Sequence, residues 1–357
     1  MPDDKLLPHR QAIDKIDEEI LTLLNKRAEH AHMIGELKGS GVVYRPEREA
    51  QVLTRIKSLN KGMLPDEAVA RLFREIMSEC LAVERPLTIA YLGPEGTFTQ
   101  LAAFKHFGHA AKTQPCLSID EAFRIVEARQ ADYVVAPIEN STEGAIGRTL
   151  DLLVSSPLQA CGEVVLRIHH HLLSQSGHLD GITQVCAHPQ ALGQCHEWLN
   201  KNLSKEVKRV PVSSNAEGAR LASIDKSIAA IASQAAAEQY KLMKIADSIE
   251  DEPNNTTRFL VLGYQSTDPS PQDKTSLIVS VPHKAGTIYQ LLKIFADNEI
   301  SMTKFESRPS HTGLWEYVFF IDIEGHAKEA KVAQTLSELE NGVSFIKVIG
   351  SYPVAIL

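Results

Sequence analysis

Long apolar runs, paired cysteines and an excess of positive charge are all missing from this 357-residue chain. No stretch of about 18 apolar residues exists, so no membrane-spanning helix is expected. The opening residues, MPDDKLLPHR, lack the apolar core of a secretion signal, which makes the cytoplasm the expected compartment. The five cysteines (Cys80, Cys116, Cys161, Cys186 and Cys195) are odd in number and show no CxxC spacing, which argues against a disulfide framework or a zinc site. His169, His170 and His171 are consecutive, and on a strand they would alternate faces rather than converge on one ion. Neither a metal nor a cofactor is expected. The net charge of −8 disfavours nucleic acid as a partner, so any anionic ligand would have to meet locally clustered arginines and lysines. What remains, with 43% hydrophobic and 23% charged residues, suits a globular chain long enough for two or three domains.

Three segments differ in texture: all-α, then α/β, then α+β. Over residues 1–86, Ile13, Ile16, Ile20, Leu23, Ile34 and Leu37 recur at helical steps until Gly39-Ser40-Gly41 interrupts them. A second helix is expected after Pro46, and Asp66 is a candidate cap for a third carrying Val69, Phe73, Ile76 and Met77. Residues 87–264 alternate short apolar strands (87–92, 133–137, 259–262) with helical stretches. After a polar, proline-containing linker over residues 267–274, residues 275–352 read strand, helix, strand, strand, helix, strand, a ferredoxin-like order.

In the first segment Ile13, Ile20, Arg27 and Ile34 lie at seven-residue steps, so Arg27 occupies a position where an apolar side chain is expected. Lys38, 11 residues on, returns to the same face within about 20°. The two cations could grip one anion. Arg10 lies 17 residues before Arg27, roughly 25 Å along a helix and about 100° around it. It would therefore serve the site of an antiparallel partner chain. Spacing alone leaves open a dimerisation helix whose basic side chains snorkel to water. Cys80 and Glu84, at i and i+4, share a helical face, and Glu49 follows the Arg45-Pro46-Glu47-Arg48 turn.

In the second segment, GPEGTFT (93–99), PIENSTEG (137–144) and Asn255-Thr256-Thr257-Arg258-Phe259 put small polar groups beside apolar strands. Thr97 or Thr99 could cap a helix whose N-terminus favours anions, and three such strand ends suggest one ligand cleft.

Residues 10–84 resemble a chorismate mutase of the all-helical type. The resemblance implies an intertwined dimer in which Arg10, from the partner, and Arg27 hold the substrate's carboxylates. Lys38 and Glu84 would contact the ether oxygen and Glu49 the ring hydroxyl, with Arg45 and Cys80 also at the site. Arg45 stands where relatives often carry aspartate, and Cys80 where they carry serine. A carboxyl at position 84 must be protonated to donate to that oxygen. Residues 87–263, through the motifs above and AHPQALGQC (187–195), resemble prephenate dehydratase. The implied fold is two α/β subdomains around a cleft, as in periplasmic binding domains. Thr257 is the implied essential group, with Glu139, Asn140 and Ser141 orienting it and His188, Gln190 and Arg258 as further substrate contacts. Residues 275–352 resemble an ACT domain. Glu306-Ser307-Arg308-Pro309 matches its effector signature, and Gly286 keeps the glycine of the companion turn. The whole chain is similar to bifunctional chorismate mutase/prephenate dehydratases of phenylalanine biosynthesis. That resemblance implies chorismate and prephenate as substrates, L-phenylalanine as inhibitor and a homodimer or larger homo-oligomer; the lack of a long apolar run argues against a membrane partner.

Overall fold

The structure, a computed structural model, describes residues 2–38, 44–309 and 317–355. The predicted break at Gly39-Ser40-Gly41 and the strand start at Trp315 lie outside the described residues. Three helices come first: α1 (Pro2–Lys38), α2 (Pro46–Leu59) and α3 (Asp66–Glu84). Helix α1 starts earlier than the apolar periodicity indicated, running back through Pro8, and continues through Gly35 as the periodicity does. Gly35 is where α3 comes closest: a Cβ there would lie 2.5 Å from Glu84 Cγ, so only glycine lets the Glu84 stem lie against α1. Among the described residues much of the apolar stripe of α1 is left exposed; Ile13 is 56% exposed and Ile34 51%.

The central segment opens with β1 (Thr88–Leu92), α4 (Phe98–Phe107), β2 (Lys112–Cys116), α5 (Ile119–Glu127), β3 (Tyr133–Asn140), β4 (Gly144–Ala145), α6 (Gly147–Ser155) and β5 (Gln159–Arg167). A second lobe follows with β6 (His171–Ser174), β7 (Gln184–Ala187), α7 (Pro189–Gln194), α8 (His196–Asn202), β8 (Lys208–Pro211), α9 (Asn215–Ile224), β9 (Ile228–Ala232), α10 (Gln234–Gln239) and β10 (Met243–Ala246). The chain then returns to the first sheet as β11 (Thr256–Gly263), giving the order β2-β1-β3-β11-β5; the second sheet runs β10-β6-β9-β7-β8. Separate apolar cores on these sheets make two lobes with a cleft between them.

The last segment comprises β12 (Asp273–Ser280), α11 (Thr287–Asp297), β13 (Met302–Pro309), β14 (Tyr317–Glu324), α12 (Ala330–Gly342) and β15 (Phe345–Pro353). Its antiparallel sheet has the order β13-β14-β12-β15. The order of elements is the one the sequence pattern predicts, although β12 begins inside the expected linker. One face carries α11 and α12 over Leu277, Leu291, Phe295, Ile321 and Leu339. The other lies against the first lobe, where Ile278, Phe320 and Ile349 join the core built by Leu150, Leu158 and Leu260.

Candidate active and effector sites

The first cavity, of ≈ 320 Å³, lies among α1, α2 and α3. Arg27, Lys38, Arg45, Glu49, Cys80 and Glu84 all line it, joined by Arg48 and Arg74, and Arg10 is outside its lining. Arg45 Nη1 lies 3.4 Å from Glu47 Oε1 and 3.8 Å from Asp268 Oδ2. Arg74 donates from Nε to Glu49 Oε1 at 3.1 Å. Burial pushes the Glu49 carboxyl up from its ordinary range, and Arg74 draws it part of the way back. Sequence reasoning passes over Arg74. The signal was present: it precedes Met77 and Leu81 at i+3 and i+7, the same anomaly of a cation on an apolar stripe that singles out Arg27. This cavity has the clustered cations that an anionic ligand needs.

The cleft between the two α/β lobes is larger, ≈ 700 Å³, and has a different chemistry. Thr97, Phe98, Thr99, Asn140 and Thr257 face it from the first lobe, and His170, His188, Gln190, Gln194, Ser214 and Ser233 from the second and its junction. Its lining includes no lysine or arginine among the described residues, contrary to the expectation that basic side chains would surround any anion site. Two ten-residue helices instead begin at it. Thr97 caps α4 by accepting from Gln100 N, and Ser214 caps α9 by accepting from Glu217 N. Their uncapped N–H groups and dipoles offer partial positive charge without a cation. His188 likewise caps α7, accepting from Gln190 N.

Residues 137–140 and 256–259, expected to lie beside strands, belong to β3 and β11 themselves, and this corrects the roles of their neighbours, whereas residues 93–97 form the expected loop before α4. Thr257 pairs with Asn140 and Arg258 with Glu139 across β11 and β3. Successive side chains on a strand point to opposite faces. Thr257 and Asn140 therefore turn to the cleft, while Arg258 and Glu139 turn to the last segment's sheet. Arg258 donates to Glu163, Asp322 and the Tyr352 hydroxyl, a set of partners that leaves its guanidinium no access to the cleft. Glu139 accepts from Lys304 at 3.0 Å. Ser141 is also outside the lining; its Oγ accepts from Thr256 N at 2.9 Å and holds the strand junction.

Asn140 is the organiser of the cleft. Its Oδ1 accepts from the backbone N–H groups of Thr142 and Glu143, so its amide must point Nδ2 the other way, toward Asn255 Oδ1 (2.8 Å) and Thr257 Oγ1 (2.9 Å). Asn255 Nδ2 then donates to Gln194 Oε1 at 3.1 Å. Asn255 and Gln194 stand inside the quoted motifs, yet their roles become visible only when β11, β3 and α7 meet.

A third cavity, ≈ 700 Å³, opens on the helical side of the last segment, lined by Gly286, Thr287, Ile288, Ser307, Tyr317 and Phe319 among others. Gly286 takes φ 87° at the start of α11, a conformation glycine adopts without strain. Of the four expected signature residues only Ser307 faces this cavity. Glu306, Arg308 and Pro309 are outside the lining, and Arg308 reaches Asp151 on α6 at 3.1 Å.

Among the described residues no group of His, Cys, Asp and Glu side chains could hold a metal ion, and no helix is long and apolar enough to cross a membrane. All five cysteines are buried free thiols.

Comparison with known proteins finds three family models along the chain. The family model for chorismate mutase type II matches residues 9–85, that for prephenate dehydratase residues 89–267, and that for the ACT domain residues 275–341. The chain is 64% identical over 358 residues to the bifunctional chorismate mutase/prephenate dehydratase of Neisseria gonorrhoeae, covering 99% of each. It is 49% identical over 362 residues to that of Pseudomonas aeruginosa, again covering 99% of each. The crystal structure of prephenate dehydratase in complex with L-Phe from Arthrobacter aurescens superposes with a TM-score of 0.69 at 33% identity, over 75% of this chain and 90% of that one. The chain belongs to the bifunctional chorismate mutase/prephenate dehydratase family, with an ACT domain at its C-terminal end.

Proposed function

We propose that this enzyme rearranges chorismate to prephenate in the helical cavity and converts prephenate to phenylpyruvate, carbon dioxide and water in the interlobe cleft, under inhibition by L-phenylalanine. Arg27 holds a substrate carboxylate, Lys38 and Glu84 face the ether oxygen on which charge develops, and Glu49, steadied by Arg74, takes the ring hydroxyl. Arg45 and Cys80 complete the wall. The exposed stripe of α1 and the distance from Arg10 to this cavity support an intertwined dimer in which each chain lends Arg10 to its partner's site. Such an enzyme works in the cytoplasm and needs no cofactor for either step.

The observation that carries the dehydratase reading is the hydrogen bond from Asn140 Nδ2 to Thr257 Oγ1. A hydroxyl has one proton, and with Asn140 occupying a lone pair, that proton is free to point into the cleft toward a leaving hydroxide. Aromatisation of the ring drives the elimination, and the α4 and α9 N-termini, with Thr99, His188 and Gln190 beside them, receive the carboxylates.

For inhibition, phenylalanine occupies the cavity beside Gly286 and Ser307. Strand β13 then has two faces, with Ser307 toward the effector and Lys304, Glu306 and Arg308 toward the dehydratase lobe. A shift of this strand is felt at Glu139 and Asp151, one residue from Asn140 and on α6 respectively. The direct test gives the purified protein chorismate alone and follows prephenate and phenylpyruvate by chromatography. Phenylpyruvate should appear and phenylalanine should suppress it. Prephenate dehydrated when supplied, with chorismate untouched, would reduce α1 to a dimerisation helix.

A further inference from the structure

One buried polar atom in the interlobe cleft has no task in the scheme above. His170 sits between β5 and β6, is 2% exposed and lines the cleft, with Phe98 edge-on at 5.6 Å between ring centroids. Its Nε2 lies 2.9 Å from Gln194 Oε1. Its Nδ1 is buried with no hydrogen-bond partner among the described residues.

The tautomer follows from the network. Backbone N–H groups of Thr142 and Glu143 fix Asn140 Oδ1 as an acceptor, so Asn140 Nδ2 donates to Asn255 Oδ1. Asn255 Nδ2 must then donate to Gln194 Oε1, which makes that atom an acceptor for His170 as well. Nε2 therefore carries the proton and Nδ1 presents a lone pair. Burial pushes the imidazole's pKa down, which keeps it neutral. A buried acceptor left unpaired is costly, and it discriminates for a ligand that brings a donor to it.

Resting on the dehydratase reading, we propose that His170 Nδ1 accepts a hydrogen bond from the ring hydroxyl of prephenate and thereby orients the leaving oxygen. The chemistry of the substrate singles out that group. As a dianion, prephenate carries two carboxylates and a ketone, all acceptors, and its ring hydroxyl is its one proton donor. With the hydroxyl donating its hydrogen bond to Nδ1, the lone pairs of the same oxygen are presented to Thr257, whose own proton is free. His170 and Thr257 are tied to one frame through Gln194, Asn255 and Asn140.

The test contrasts two isosteres. His170→Asn keeps an acceptor near the Nδ1 position and loses the contact with Gln194; His170→Gln does the reverse. Wild-type dehydration of prephenate is measured first, and its absence would sink the dehydratase reading itself. Given turnover, His170→Gln should lower kcat/KM for prephenate roughly 100-fold, and His170→Asn by no more than about 10-fold. Phenylpyruvate, which has the same side chain but no ring hydroxyl, should inhibit both variants within about 3-fold of wild type. Chorismate consumption by the same samples reports that the chain is folded. Wild-type kcat/KM in His170→Gln would overturn the proposal. So would weakening of phenylpyruvate inhibition in parallel with kcat/KM, because His170 would then only shape the cleft.

Discussion

Thr257 and Glu84 show how little chemistry each site asks of a side chain and how much of its orientation. Thr257→Val keeps the shape of the strand and removes the hydroxyl; dehydration should fall by about 10²–10³-fold while chorismate consumption stays at the wild-type rate. Thr257→Ser, which retains the proton, should recover most of the loss. Steady-state kinetics on the two substrates separates these outcomes, and equal loss of both activities in Thr257→Val would point to misfolding. Glu84 lines the mutase cavity, and Glu84→Gln, whose amide can donate to the ether oxygen, should keep most mutase turnover, whereas Glu84→Ala should lose about 10²-fold. Equal losses in Glu84→Gln and Glu84→Ala, read by chorismate consumption, would remove the donor role.

At the scale of the element, the two-residue period of β3 and β11 divides one motif between two jobs. The cleft takes Asn140 and Thr257, and the interface with the last sheet takes Glu139 and Arg258. Glu163 accepts from both Arg258 and Lys274 in this interface. Arg258→Ala would leave the Glu163 and Asp322 carboxylates buried beside a hole. Thermal unfolding should record a destabilisation of about 3–5 kcal/mol, because removing one partner strands the charges of the others. Lys304→Met is milder: it cuts the Lys304–Glu139 link and should weaken phenylalanine inhibition several-fold while leaving uninhibited dehydration near wild type. Inhibition curves that overlay the wild type would show that the link carries no signal.

The helices of the first segment and every element of the last are legible in the sequence, because periodicity of 3.6 or 2 marks a buried face; in the central segment only the strands near 87–92, 133–137 and 259–262 stand out, and the second lobe's short strands do not. Faces within a motif are less legible. Glu139 and Arg258 look like cleft residues in a row of polar letters, and a strand's register had to be known before they could be assigned to the opposite side. Arg308 follows the same rule on β13. His170 is hidden for another reason: its neighbours His169 and His171 pair with Glu250 and Asp247, and only the approach of α7 gives the middle imidazole a defined tautomer.

At the scale of the whole molecule, the segments are joined by buried contacts. Tyr44, just before α2, lies 2.9 Å through its hydroxyl from His106 Nε2 on α4 and packs edge-on against Tyr133. Burial, helped by the charge of Arg74, lowers the His106 pKa to about 3. The folded state therefore binds fewer protons there than the unfolded state once pH drops below the ordinary histidine value near 6.5. Stability from this group is present above pH 6.5 and lost as pH falls toward 3, by about 1.4 kcal/mol per unit. Melting temperature should drop between pH 7 and pH 5, and His106→Gln should make that drop shallower. For the dimer, mixing Arg10→Ala chains with Lys38→Ala chains should restore mutase activity to about a quarter of wild type, because half the dimers would then hold one intact site. No recovery on mixing, with exchange verified, would place Arg10 in its own chain's site.

The sequence by itself determined the division into helical, α/β and α+β segments and the cations of the first cavity, because those depend on local periodicity and on residue types that stand out from their surroundings; Thr257 stood out only through its resemblance to a family motif. The tertiary structure decided which face each polar residue of a strand serves, that the second cleft is lined by helix N-termini and by no arginine or lysine among the described residues, and how a chain of amides fixes the His170 proton. These depend on strand register and on helices brought together from residues more than 100 positions apart. Hydrogen-bond direction is a property of the assembled network, and no single residue in it carries that information alone.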